Sequence, residues 1–166
     1  MVNNLNFTIC LILMTTIHQI SKELFEDSFD LIALHCNMEC FALAYHINRV
    51  AETLLVRAGE DLEISGFSHP LFEYKNDCKG EIWTLVSNIA KREESEHNNG
   101  LFQNSTILKL NYLLKQQKQI NFILKISSEM AVDINQIINL ARSIPKVHMA
   151  YQINTNKLRY KRNILF

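Results

Sequence analysis

Apolar residues recur along two long stretches of the chain at the spacing of a heptad repeat. In the first stretch they step alternately by four and three residues, at Phe29, Ala33, Cys36, Cys40, Leu43, Ile47, Val50 and Leu54. This alternation keeps one apolar stripe on one side of an α-helix, where a partner helix can cover it. Because residues 21–58 contain neither Gly nor Pro, the pattern predicts one long helix over about residues 21–58.

The second stretch repeats this pattern in the C-terminal half of the chain. Its seam consists of Leu110, Leu113, Gln117, Ile120, Leu124, Ser127, Ala131, Ile134, Ile138 and Ala141. Asn104 and Ser105 precede the seam and suit a helix N-cap, and Pro145 follows it and is expected to end or kink the helix. The pattern predicts a second long helix over about residues 105–144.

The remaining segments are predicted to be shorter. Gly59, Gly66 and the pair His69-Pro70 indicate a loop over residues 59–77. Shorter helices are predicted at positions 5–20, 78–96 and 145–160, and a basic tail covers residues 157–166. The predicted fold is therefore all-α. It is a single domain over residues 1–166, a helical bundle in which the two long helices pack antiparallel and the shorter ones flank them.

Composition supports a helical protein, and the charges divide the chain into two halves. Of the 166 residues 48% are hydrophobic, and only 4 Gly and 2 Pro are present, which argues against disorder and against a turn-rich all-β fold. Residues 1–104 carry 7 basic and 15 acidic side chains, whereas residues 105–166 carry 10 and 2. The halves, at −8 and +8, should attract each other, and this dipolar pattern favours a protein partner over nucleic acid.

The N-terminal apolar run bears on localisation. It extends from Phe7 to Ile17 and is 11 residues long, too short to span a bilayer as a helix, so no transmembrane segment is expected. It has no Lys or Arg ahead of it and no small-x-small cleavage site behind it, which favours a cytoplasmic protein. The alternative is a secreted protein in which residues 1–20 are a signal peptide.

Two sets of residues suggest possible chemistry. His35, Cys36 and Cys40, together with Cys78, are candidate metal ligands, because i, i+4 spacing places ligands on neighbouring faces of a helix. The alternative is that Cys36 and Cys40, which fall in the heptad seam, pack as small apolar residues, and no metal or cofactor is expected on that interpretation. The second set comprises the pairs Arg142-x5-His148 and Arg92-x4-His97.

These pairs resemble the Arg-x(4–6)-His motif of the HEPN ribonucleases, which are all-α proteins of comparable size. The resemblance implies metal-independent RNA cleavage, with His148 as acid or base and Arg142 holding the scissile phosphate. RNA would be the partner only on this alternative, in a toxin or defence protein.

Residues 37–91 resemble the cytoplasmic signalling hairpin of the methyl-accepting chemoreceptors. The matching segments, in the same order as in that family, are Phe41-Ala42-Leu43-Ala44-Tyr45-His46-Ile47, Arg57-Ala58-Gly59-Glu60, Gly66-Phe67 and Glu81-Ile82-Trp83-Thr84-Leu85. The resemblance implies a helical signalling hairpin that docks a kinase and its coupling protein and has no catalytic activity.

The two seams are longer than the short helices can cover, which favours covering by a second copy or another protein. We therefore expect a non-enzymatic, cytoplasmic protein that acts through protein association or self-association, such as a signalling or adaptor module. The alternative is the HEPN-like ribonuclease with Arg142 and His148.

Overall fold

The computed structural model of the protein describes residues 29–96, 105–158 and 164. This part of the chain forms ten β-strands, two α-helices and a short 3-10 helix. The strands are β1 (Phe29–Cys36), β2 (Val56–Arg57), β3 (Leu62–Ile64), β4 (Phe67–His69), β5 (Leu71–Asn76), β6 (Glu81–Ser87), β7 (Ile89–Glu96), β8 (Ser105–Tyr112), β9 (Phe122–Ser128) and β10 (Val147–Ile153). The helices are α1 (Cys40–Ala51) and α2 (Ile134–Arg142), and the 3-10 helix is Thr155–Lys157.

The prediction of an all-α helical bundle with long coiled-coil helices is wrong. The first predicted long helix, 21–58, contains β1, α1 and β2, and the second, 105–144, contains β8, β9 and α2. The predicted helix at 78–96 is β6 and β7, that at 145–160 is β10 with the 3-10 helix, and the predicted loop at 59–77 contains β3, β4 and β5. The predicted helix at 5–20 and most of the basic tail lie outside the described residues.

Six strands form one antiparallel sheet in the order β10-β1-β9-β6-β5-β2. Its centre is β1, β9 and β6, in which Leu34 pairs with Phe122, and Phe122 in turn pairs with Ser87. Some neighbours in the sheet are far apart in sequence; β1 and β10 are separated by more than a hundred residues. The sheet therefore holds the two ends of the described chain together.

Both faces of this sheet are buried, and for that reason its central strands are apolar almost throughout. In β1 the side chains of Ile32 and Leu34 lie on the face covered by α1 and α2, and those of Leu31 and Ala33 lie on the other face. The second face is covered by Leu113, Leu114 and Ile120 from the segment after β8, by Leu62 and Ile64 of β3, and by Ile164. A strand buried on both faces lacks the alternation of apolar and polar residues by which a half-buried strand is recognised.

The two helices are short and amphipathic. Helix α1 buries Cys40, Leu43, Ala44 and Ile47 against the sheet, the i, i+3, i+4, i+7 pattern of one helix face. Helix α2 begins after Asp133, whose carboxylate accepts a hydrogen bond from the backbone N–H of Gln136 at 3.1 Å. It ends at Arg142, three residues before Pro145. Neither described helix is long and apolar enough to cross a membrane.

Two hairpins stand apart from the six-stranded sheet. Strands β3 and β4 are joined by Ser65 and Gly66, both with positive φ (54° and 75°), the conformation that the tightest hairpin turn requires. Strands β7 and β8 pair over eight residues each, from Ile89 opposite Tyr112 to Glu96 opposite Ser105. We call this second hairpin the arm; at about 3.4 Å per residue it is roughly 27 Å long.

Candidate functional site

The predicted metal ligands do not form a common site. Cys36 ends β1 beside Phe122 and Ser87, whereas Cys78 lies in the turn between β5 and β6, at the opposite end of the sheet. His35 is half-buried and its Nε2 lies 3.5 Å from the hydroxyl of Tyr151. Within the described ranges no group of three or more His, Cys, Asp or Glu residues is close enough to hold a metal ion.

Cys36 and Cys40 belong to the core cluster between the helices and the sheet. Burial raises the pKa of both thiols, that of Cys40 to about 12. A thiol with so high a pKa is neutral at physiological pH, and it is therefore a poor nucleophile and a poor metal ligand. In this structure the two side chains act as small apolar residues.

Arg142 and His148, the predicted ribonuclease pair, lie in different surroundings. Both Nε and Nη2 of Arg142 donate to the backbone carbonyl of Ala150, at 3.0 and 2.7 Å. His148 is exposed on β10, and in the part of the chain that the structure describes no hydrogen bond or ion pair joins it to Arg142. Arg92 also contacts protein groups, namely the carbonyl of Gly66 and the carboxylate of Glu94, and His97 lies outside the described residues.

A cleft of about 690 Å³ lies at the end of the sheet where β1 leads into α1. Its lining comes from residues 36–40, 68, 70, 87, 89–91, 121 and 122. The side chain of Asn121 positions this end, since its Oδ1 accepts from the backbone N–H of Cys36 at 3.1 Å. Two lining hydroxyls already have partners: Ser68 donates to the carboxylate of Asp61, and Ser87 donates to the carbonyl of Ile89. The cleft has space for a ligand, and its lining includes the two neutral thiols, the engaged hydroxyls and the exposed residues Glu39 and Lys91.

The arm offers a different kind of surface. Residues directly opposite each other in an antiparallel pair share a face, so Arg92 and Lys109 lie on one face, and Glu94 on that same face forms ion pairs with both. This inner face rests on the hairpin of β3 and β4. Asn111 donates to the carbonyl of Ile64 at 3.1 Å, and the Arg92 guanidinium, besides its bond to Gly66, lies 5.2 Å from the centre of the Phe67 ring.

The opposite side of the arm, which we call the outer face, begins at the half-buried pair Ile89–Tyr112 and is open beyond it. The open part includes two cross-strand pairs, Lys91 opposite Leu110 and Glu93 opposite Leu108. All four side chains are exposed, with Leu108 and Leu110 at 53% and 47%. The outer face therefore presents two leucines along β8 and, beside them along β7, one basic and one acidic side chain.

The base of the arm is fixed by Asn88, the residue before β7. Its side chain is fully buried and makes three hydrogen bonds to the segment after β8: Nδ2 donates to the carbonyls of Gln117 and Ile120, and Oδ1 accepts from the backbone N–H of Leu114. Because both strands of the arm enter the protein at Asn88 and Leu113, these bonds set the direction in which the arm projects.

Sequence reasoning missed the outer face. Leu110 belongs to the second predicted heptad seam, whereas Leu108, Lys91 and Glu93 have no role in any prediction from the sequence. A signal was present: Leu108, Leu110 and Tyr112 alternate with Lys109 and Asn111, which is the period of a half-exposed strand. The heptad interpretation hid this signal, because Leu110 fits both a seam position of a helix and one face of an alternating strand.

Comparisons with protein-family models, with curated proteins and with solved structures find no match for this chain. They support neither the resemblance to the chemoreceptor hairpin nor that to the HEPN ribonucleases. A function for this chain is therefore inferred from the geometry of the described residues.

Proposed function

We propose that this protein acts by protein association and that the outer face of the arm is its docking surface. The observation that supports this proposal is the pair of neighbouring leucines, Leu108 and Leu110, about half exposed on a projecting ribbon. Isolated apolar residues are common on protein surfaces, but contiguous ones on a protruding element indicate an interaction site.

The stability of the arm supplies a second argument. A two-stranded hairpin is at best marginally stable in water, and it gains stability when one of its faces is covered. Here the inner face is partly covered, through the contacts of Asn111 and Arg92 with β3 and β4, and the leucines of the outer face remain in water. Removing a half-exposed leucine from water is worth about 1 kcal/mol, so a partner on this face would stabilise the arm as well as bind to it.

This proposal retains association, expected from the sequence, but replaces its structural basis. Coiled-coil seams do not exist in the described residues, and the exposed apolar surface is a β-ribbon. We favour the outer face over the cleft, because the thiols of Cys36 and Cys40 pack in the core and the hydroxyls of Ser68 and Ser87 already donate to other groups.

Site-specific photo-crosslinking tests the proposal directly. A photoreactive amino acid is placed at position 108 or 110 of the full-length protein in cells, and at position 130 in a control. Met130 is a suitable control position, since it is 66% exposed and lies between β9 and α2 rather than on the arm. We expect a discrete protein adduct from positions 108 and 110 and none of the same mass from position 130. Equal adducts from all three positions, or none from the arm, would rule out the outer face as a docking surface.

A further inference from the structure

The outer face of the arm is complementary to itself. Three successive levels of the ribbon are set by its register: Lys91 with Leu110, then Arg92 with Lys109, then Glu93 with Leu108. The middle pair points to the inner face, and the pairs above and below it point outwards. The outer face thus has a leucine and a charged residue at each of two levels, and the two charges are opposite.

Consider two copies whose outer faces are packed against each other. A two-fold axis can lie between these faces, perpendicular to the strands and at the level of the Arg92–Lys109 pair. This axis places the Lys91–Leu110 level of one copy over the Glu93–Leu108 level of the other. It keeps β7 over β7 and β8 over β8 while reversing their directions. Lys91 of one copy then faces Glu93 of the other, and Leu110 faces Leu108. Each contact occurs twice, as an isologous interface requires.

From this geometry we infer that the partner on the outer face is a second copy of this chain, packed face to face on the arm with Lys91 opposite Glu93 of the other copy. The inference rests on the proposed function of the outer face. The net charge of the chain is zero, so no long-range repulsion opposes association of two copies. Two sheets packed in this way lie about 10 Å apart, within reach of interdigitating leucine, lysine and glutamate side chains.

Pairing of two arms edge to edge is a weaker solution. It would join the edge of β7 or of β8 to that of a second copy, but in either case it would leave Leu108 and Leu110 of both copies on an exposed face. Pairing through β8 would also keep Lys91 and Glu93 apart, whereas antiparallel pairing of β7 with itself about Arg92 would bring these charges together without covering the leucines. Only face-to-face packing covers the leucines and pairs both charges.

Charge exchange tests this inference with the full-length protein. Lys91→Glu places two acidic side chains on each outer face, and Glu93→Lys places two basic ones there. Each single change should weaken the dimer by roughly tenfold, because two attractive contacts become repulsive. The double variant Lys91→Glu/Glu93→Lys should dimerise like the original chain, and an equimolar mixture of the two single variants should form mixed dimers. Sedimentation velocity at low ionic strength measures the original chain, the two single variants, the double variant and the mixture, and circular dichroism verifies their folding.

Recovery of the dimer in both the double variant and the mixture is the expected result. A monomeric original chain, single variants that dimerise as well as the original, or a mixture that stays monomeric would each overturn the inference. A monomeric chain that still gives a discrete adduct with a different protein from position 108 would leave the proposed function standing while removing self-association. If the chain is monomeric and the arm also gives no discrete adduct, the outer face is not a docking surface.

Discussion

The backbone N–H of Leu114 donates to the side-chain oxygen of Asn88 across 2.8 Å, joining the two ends of the arm inside the protein. Leu114 follows β8 and Asn88 precedes β7, so this bond closes the hairpin at its base. Nδ2 of the Asn88 side chain donates two further hydrogen bonds, to the carbonyls of Gln117 and Ile120. These bonds hold the segment that covers the second face of the sheet. One buried side chain therefore fixes both the arm and part of the core.

Replacing Asn88 by Ala should destabilise the whole protein. The substitution leaves two carbonyls and one N–H without their partner in a buried region, and we expect the free energy of unfolding to fall by about 3 kcal/mol. Urea denaturation followed by circular dichroism measures the change. The matched control is Asn139→Ala on the exposed side of α2, which should leave the midpoint unchanged or slightly raised. Equal effects of the two substitutions would contradict the role of Asn88.

His69 should make the protein less stable as the pH falls. Its Nδ1 donates to the carbonyl of Ser87 at 2.9 Å, and its buried Nε2 has no hydrogen-bond partner in the described part of the protein. Burial lowers the pKa of the imidazole and outweighs the opposite effects of the Ser87 carbonyl and of Glu63 and Asp61. Below about pH 6.5 the unfolded chain binds a proton here that the folded chain does not. The free energy of unfolding should therefore decrease towards acid pH, by up to about 1.4 kcal/mol per pH unit from this group, and level off once the folded His69 is protonated.

The variant His69→Asn separates this effect from other titrating groups. The amide of Asn can take over the bond to the Ser87 carbonyl but does not titrate, so the acid dependence of stability should become shallower. His148→Asn is the control, because His148 is exposed and the slope should persist. Urea denaturation at several pH values between 7 and 5 measures how the free energy of unfolding depends on pH. The same pH dependence in His69→Asn as in the original chain would show that His69 does not cause it.

The described cysteines should differ in reactivity according to their burial. Cys78 is exposed, whereas Cys36 and Cys40 are buried and the pKa of Cys40 is raised to about 12. At pH 8 in the native protein we expect iodoacetamide to modify Cys78 at least about ten times faster than the other two. Peptide mass spectrometry follows each site, and addition of denaturant should abolish the difference. Rapid labelling of Cys40 in the folded protein would show that its thiol is activated.

Arg142 should contribute to stability rather than to catalysis. Its guanidinium binds the carbonyl of Ala150 on β10, a strand at the edge of the sheet. Arg142→Ala should lower the free energy of unfolding by about 1 kcal/mol, while His148→Ala should be almost neutral. Thermal denaturation of both variants measures this. A ribonuclease pair would give the reverse pattern, with both variants fully stable and a nucleolytic activity lost in each.

The sequence predicted some local features correctly and the fold class wrongly. A helix was expected over the region that contains α1, and the second helix does end just before Pro145. The error arose in β1 and β9, whose apolar residues are nearly continuous because both sheet faces are buried. A run such as Leu31 to Leu34 fits a heptad seam and a buried strand equally well. The scarcity of Gly and Pro then favoured the wrong choice, since Glu52, Ser65 and Lys146 take the left-handed conformation in connections where Gly is the usual residue.

The docking surface could have been predicted only in part. Alternation over residues 107–112 indicates a strand, but its hairpin partner Lys91–Glu94 is charged and carries no strand signal of its own. The register that sets Lys91 beside Leu110 and Glu93 beside Leu108 depends on Asn88 and on the packing of the inner face against β3 and β4. Contacts of this kind arise from tertiary structure and are not encoded in a local pattern.

The most direct test of the outer face is the molecular mass of three proteins measured by sedimentation equilibrium: the original chain, Leu108→Lys and Met130→Lys. The two substitutions introduce the same charge at two exposed apolar positions, one on the outer face and one between β9 and α2. We predict a dimer for the original chain and for Met130→Lys, and a monomer for Leu108→Lys. A mass for Leu108→Lys equal to that of the original chain, or a monomer in all three samples, would contradict self-association through the arm.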